Sequence, residues 1–448
     1  MFRSGSSSYR ILSSGFALAF ALSVIAPAPV LAHEEGSALS LSRLIAEVRR
    51  VNPDLEAARK RWEAAQARVP LAKGLPAPRI GIEWEEIPRG TLKFNRAEAM
   101  YQLLQSIPFP GKISLRHQVA LKEAQIAAMS FKQTEWDILS QLKTVYYELF
   151  LLDRELELAQ QQVLWLDQAA VSAQARYATG TSSQAELLMA QTASLEASNQ
   201  IQVLTQRRKA MMAHLNHLLN RTGHQHIGHP GSIELVPLAF SPDELFLLAH
   251  ARQPELQVFQ FTAERADAAF RLSKRELLPD LETMFELRNP AMGPVGPWDL
   301  SLALTIPFWF WTKWRYGIRV ALRDRESAQA AYQAMRNEIA KRIHEHWHEA
   351  MAVYLSAQLA RDGLIPLAQQ AVNSALAAYR SGRGSFMEVQ AALDGLQERR
   401  RTYYERLVSL EQHVVMLEEA SGVPLRPEHM SSQEEAMEAA LRSKGARP

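Results

Sequence analysis

The chain repeats itself once, end to end, at an offset of about 200 residues. SIPFPGK at residues 106–112 returns as TIPFWFW at 305–311, and NPDLEAARKRWEAAQA from Asn52 returns as QPELQVFQFTAERADA from Gln253. Pro53, Leu55, Glu63 and Pro78 are matched by Pro254, Leu256, Glu264 and Pro279. Further on, RYATGTSSQAEL from Arg176 is matched by AYRSGRGSFMEV from Ala378, which pairs Tyr177, Gly180, Ser183 and Glu186 with Tyr379, Gly382, Ser385 and Glu388. The period is far longer than the roughly 20 to 50 residues of a solenoid repeat. The chain therefore reads as two large copies of one unit.

Each copy reads as helix, hairpin, very long helix, turn, helix. The first helix is predicted over about residues 41–73, ending near Pro76 and Pro78, where the chain turns extended. From Ile113 to Ala178 there is neither proline nor glycine, and a helix of that length spans on the order of 100 Å. The second copy repeats it from about Ile318 to Tyr379, interrupted at Gly363 and Pro366. Helices this long gain stability by coiled-coil packing against neighbours. The organisation read from this is a signal peptide at 1–32, a first repeat at 33–230 and a second at 231–422, with a polar tail at 423–448. The hairpins fall at about 79–107 and 280–307, and the turns between helices at about 176–186 and 378–388.

The hairpins alternate with a period of two. Leu300, Leu302, Leu304 and Ile306 share one face and Ser301, Ala303 and Thr305 the other; Ile80, Ile82 and Trp84 alternate with Gly81, Glu83 and Glu85. Leu281, Thr283, Phe285 and Leu287 alternate with Glu282, Met284 and Glu286, and Tyr101, Leu103 and Ile107 oppose Gln102 and Ser106. Apolar on one face, polar or acidic on the other, is the pattern of a transmembrane β-barrel strand. Phe308, Trp309, Phe310, Trp311, Trp314 and Tyr316 stand where an interfacial aromatic girdle belongs. About eight strands are the lower limit for closure, so four demand oligomerisation, and three chains would supply twelve. Pro108 and Pro307, which lack an amide donor, then end each ladder and send the chain through Gly111 or its counterpart into the long helix.

Arg3 and Arg10, an apolar run and the small residues Val30 and Ala32 form a secretory signal, with cleavage expected after Ala32. The 448 residues include no cysteine, which removes disulfides, thiolate metal sites and an N-terminal lipid anchor together. A net charge of +2 gives no field for nucleic acid. No GxSxG or P-loop occurs, and neither catalysis nor a cofactor is expected.

With its two repeats, two hairpins, long helices and two Tyr-x-x-Gly-x-x-Ser turns, the whole mature chain resembles the TolC family of outer-membrane efflux channels. IPFPGK at 107–112 is most similar to the heavy-metal cation branch, of the CzcC and CusC type. The resemblance implies a mainly helical homotrimer with a small β part: a twelve-stranded barrel in outer-membrane lipid and a twelve-helix periplasmic tunnel. It implies a periplasmic adaptor and a proton-driven inner-membrane pump of the RND type as partners. By the same resemblance the tips around Tyr177, Gly180, Ser183, Tyr379, Gly382 and Ser385 receive the adaptor. Glu388 stands where the family places an acidic gate residue, with Arg383 as the nearest basic partner and Ala391 in place of a second acid.

Two histidine groups are candidate metal contacts. His344 and His348 lie four apart on one predicted helix face, and His224 and His226 sit in a histidine-rich run with His214, His217 and His229. Glu83, Glu85, Glu282 and Glu286, tripled by symmetry, would form acidic rings in a barrel lumen that favour cations. Three readings stay open: a duct for metal cations, a duct for drugs or other organic compounds, and a periplasmic coiled-coil scaffold.

Overall fold

The computed structural model describes residues 39–85, 98–223, 225–288, 297–306 and 314–429, with only the backbone of Glu85, Glu98 and Glu428. The expected signal peptide, the tail beyond 429, His224, Pro307 and the aromatic run from Phe308 to Trp311 lie outside these residues.

Helix α1 (Leu41–Val51) buries Leu41, Leu44, Ile45 and Val48, one apolar stripe at helical spacing. Helix α2 (Pro53–Leu71) follows after one residue. The expected single helix over about 41–73 is thus corrected to two. Proline has no amide to continue the ladder, and Asn52 turns extended and accepts the amides of Asp54 (3.0 Å) and Leu55 (3.1 Å). The second copy breaks in the same way. Helix α5 (Pro242–Arg252) gives way to α6 (Pro254–Arg275) at Gln253, whose side chain caps Leu256.

Four strands follow the predicted hairpins: β1 (Arg79–Glu85), β2 (Glu98–Ile107), β3 (Asp280–Arg288) and β4 (Trp298–Thr305). They form one antiparallel sheet in the order β1-β2-β3-β4. The two repeats join at its centre, where Gln102 stands opposite Glu286 and Ile107 opposite Leu281.

Helix α3 (Lys112–Ala178) runs 67 residues unbroken and turns into α4 (Gln184–Leu218). Its counterpart is α7 (Arg315–Leu359), continued by a π-helical segment at Ala360–Leu364 and by α8 (Ile365–Arg380), then α9 (Phe386–Ser421). The expected interruption at Gly363 and Pro366 is therefore a widened turn, with the helix running on through it. Pro366 falls where the segment ends, in the first turn of α8; it has no amide to bond back to the preceding turn, and the widened turn accommodates its ring. Among the described residues no helix is long and apolar enough to cross a membrane.

The main core joins α1, α3, α4 and α9, with Leu142, Tyr147, Leu149, Leu215, Leu407 and Val415 nearly sealed from solvent. It also holds charge. Lys143 Nζ donates to Glu418 Oε2 at 2.6 Å, with both residues buried. Beyond α9 the chain doubles back at Gly422, where a side chain would strike Gln253, and returns into this core. There His429 sits between Glu418 Oε1 (2.7 Å) and the Tyr147 hydroxyl (2.5 Å), and Arg426 pairs with Glu411 at 3.0 Å. Burial opposes the charge on Glu418, but Lys143 and His429 outweigh it and hold the carboxyl at about 2.

Candidate functional site

Alternation in the sheet sorts its residues by face. Ile80, Ile82 and Trp84 of β1 stand beside Tyr101 and Leu103 of β2, then Phe285 and Leu287 of β3, then Leu300, Leu302 and Leu304 of β4. Every one of them is exposed, Ile80 by 82% and Leu302 by 68%. A continuous apolar sheet face of this kind is not left to water by a soluble protein, whereas outer-membrane strands present it to lipid.

The opposite face is polar and cross-linked. The Gln102 amide donates to Glu83 and, at 2.9 Å, to Glu286, which ties β1, β2 and β3 together. Thr305 donates to Glu282 at 3.1 Å, and Arg288 pairs with Asp299 at 3.0 Å. Glu83, Glu282 and Glu286 thus lie together on the predicted face, and the backbone register puts Glu85 on it too. Asp299 joins them. Sequence reasoning missed it, although carrying the β4 alternation two residues back from Ser301 would have found it.

Pro108 is buried where the first hairpin meets α3. Gly111 begins that helix with φ of 94°, a left-handed conformation that suits glycine, and the Arg275 guanidinium occupies the space beside it. Lys112, also missed, is the buried clasp of this corner: its ammonium donates to Asp280 Oδ1 (2.7 Å) and to the Leu278 carbonyl (2.8 Å). Asp280 also accepts from the Phe109 amide at 2.7 Å, so the end of β2 is fastened to the start of β3.

At the tips, Gly180 and Gly382 adopt φ of 71° and 73°. Ser183 caps α4 through the Glu186 amide, and Ser385 caps α9 through the Glu388 amide. There the likeness ends. The Glu388 carboxylate folds back onto the Ser385 amide at 3.2 Å and completes a capping box. The Glu186 carboxylate instead accepts from Ser182 (3.0 Å) and from the Tyr379 hydroxyl of the other repeat (3.2 Å). Arg176 lies over the Tyr379 ring, 4.7 Å from its centroid, and 3.9 Å from Glu186. Burial, with Glu186 adding to it, holds the Tyr379 phenol above its ordinary value. Tyr177, its counterpart, is exposed. Arg383 reaches Ser381 at 3.2 Å, and among the described residues no ion pair joins it to Glu388.

The rings of His344 and His348 stack 6.4 Å apart on exposed α7 positions, and His226 is exposed in the loop after α4. Among the described residues no further ligand completes either candidate.

Comparison with known proteins agrees with this geometry. The family described as outer membrane efflux protein matches the chain twice, over residues 44–221 and 245–423, one match per repeat. The cobalt-zinc-cadmium resistance protein CzcC of Cupriavidus metallidurans is 21% identical over 392 residues, covering 88% of this chain and 92% of CzcC. The outer membrane protein VceC of Vibrio cholerae has the same fold, with a TM-score of 0.75 and 16% identity over 86% of this chain and 97% of its own. CusC superposes with a TM-score of 0.74 at 15% identity, covering 86% and 92% of the two chains.

Proposed function

Since the chain belongs to the outer membrane efflux protein family, we propose that it is the exit duct of a tripartite efflux system and that its cargo is heavy-metal cations. As a member of that family it is an outer-membrane protein of a Gram-negative bacterium, with a large periplasmic part. The observation that carries the duct is the four-stranded sheet, apolar and exposed on one face, polar and hydrogen-bonded on the other. Four strands do not close, and three copies reach twelve, a number that encloses a polar lumen. The assembly is accordingly a homotrimer. A periplasmic adaptor docks at the tips around Gly180 and Gly382, and an RND-type pump drives transport; the duct itself catalyses nothing.

The cation cargo is supported by the likeness to CzcC and by the polar sheet face, where Glu83, Glu282, Glu286 and Asp299 outnumber Arg79 and Arg288. Tripled around an axis, that excess of acid favours cations. The resting closure lies at the tips. Its latch within each chain is the contact of Glu186 with Tyr379 and Arg176, while Glu388 secures the start of α9.

Deletion of the gene, followed by growth on graded zinc, cobalt, cadmium, copper and organic toxicants, tests the cargo. Sensitisation to metals alone is expected. Sensitisation to organic compounds alone would transfer the duct to the second cargo class. A heat-sensitive trimer on a gel, extracted only by detergent, is expected of the duct; a detergent-free soluble rod would refute it.

A further inference from the structure

The middle histidine in RIHEHWHE is the one whose surroundings are built. His346 on α7 faces His413 on α9 with ring centroids 5.7 Å apart, and Glu349, one turn on from His346, reaches between them. Glu349 Oε2 lies 3.4 Å from His346 Nδ1 and 3.4 Å from His413 Nδ1. Metal bonds of about 2.1 Å at tetrahedral angles place neighbouring donors about 3.4 Å apart, so both edges already have the required length. One ligand atom from each of the three residues falls within 4.8 Å of the other two. His346 Nδ1 is shut from solvent and makes no hydrogen bond, a cost that a metal bond removes.

We propose that His346, Glu349 and His413 form a binding site for a divalent transition-metal ion of the zinc and cobalt class, which ties α7 to α9. Two imidazoles and one carboxylate are the donor set that zinc, cobalt and nickel accept, with a fourth position left for water. Burial holds His413 below its ordinary pKa. The pair at His344 and His348 lacks such a third donor and is the natural internal control. The site stands on this geometry alone and does not require that the cargo be a metal.

The test uses the full chain, purified in detergent and stripped with a chelator, titrated with cobalt(II) by visible absorption and with zinc(II) by competition. The wild type should bind one tetrahedral cobalt ion per chain that His413→Gln does not. Glu349→Gln, at a side chain 58% exposed and so without risk to folding, should weaken that ion at least about tenfold, since even outer partners of a metal ligand are worth that much. The double variant His344→Gln, His348→Gln should bind as the wild type does. Absence of the tetrahedral spectrum in the wild type, or equal binding by the wild type and Glu349→Gln, would overturn the site. Neither result touches the cargo, which growth assays decide separately.

Discussion

The first tip buries mainly alanines where the second buries large side chains. Between the two helical hairpins, Leu166, Ala169, Ala173, Ala190, Ala193 and Ala197 of repeat 1 share one core with Val372, Tyr379, Phe386, Val389, Leu393 and Leu396 of repeat 2. The turns themselves hardly differ, since each has a left-handed glycine and a serine cap at the same offset. Duplication has therefore kept the backbone chemistry of the turn and divided the packing. One copy became the socket and the other the plug, so that two identical hairpins no longer compete for the same space. The carboxylates divided in the same manner, Glu388 serving its own helix and Glu186 reaching across to the other copy.

That comparison is broken most severely at the charge shared between repeats. Gly382 lies 202 residues after Gly180, and the same step carries Asn216 to Glu418, so the buried acid of α9 has a neutral counterpart in α4. Lys143→Met leaves the buried Glu418 with His429 as its remaining charge partner and should cost about 3 kcal/mol, read by denaturant unfolding of the purified protein. The pH dependence has a definite sign. A carboxyl held at about 2 contributes stability that is complete above its ordinary value near 4.5 and is lost as pH falls from there toward 2. Wild-type stability should therefore fall across that window, and Glu418→Gln should flatten the fall.

Phe386→Ala empties a socket and should cost about 3 kcal/mol, whereas the same change at its exposed counterpart Gln184 should stay within about 0.5 kcal/mol. Equal melting shifts for the two would refute the plug and socket. At the glycines the repeats should instead behave alike. Gly180→Ala and Gly382→Ala each force a left-handed alanine into open space, at about 1 kcal/mol apiece. The smallest expected effect on stability, somewhat under 1 kcal/mol, follows Tyr379→Phe, which deletes one hydrogen bond to Glu186. That variant should raise the resting conductance of the protein in planar bilayers, and Tyr177→Phe should leave it unchanged.

The long helices, the strand faces and the glycine turns were legible because each depends on residues near one another in sequence, and the duplication because two distant stretches spell the same pattern. The breaks at Asn52 and Gln253 were legible in principle. Each is a capping side chain ahead of a proline, and they were overlooked because proline at the start of a helix does not disturb the helical pattern. What no single sequence displays is the partner of a distant charge. Lys112 finds Asp280, Lys143 finds Glu418 and Glu186 finds Tyr379 only once the two copies have come together. The histidines teach the same lesson: helical spacing paired His344 with His348 within α7, while His346 faces His413 on a neighbouring helix, which spacing does not display.

The return of residues 422–429 into the core sets a clock on folding. A newly made chain emerges from its N-terminus onward, so Lys143 and Tyr147 of the first repeat meet Glu418 and His429 only when almost the whole polypeptide is available. Glu418 then pairs with Lys143, and His429 arrives last to hydrogen-bond Tyr147. A chain halted at residue 422 should stay protease-sensitive even with both repeats complete, which pulse labelling followed by limited digestion would reveal.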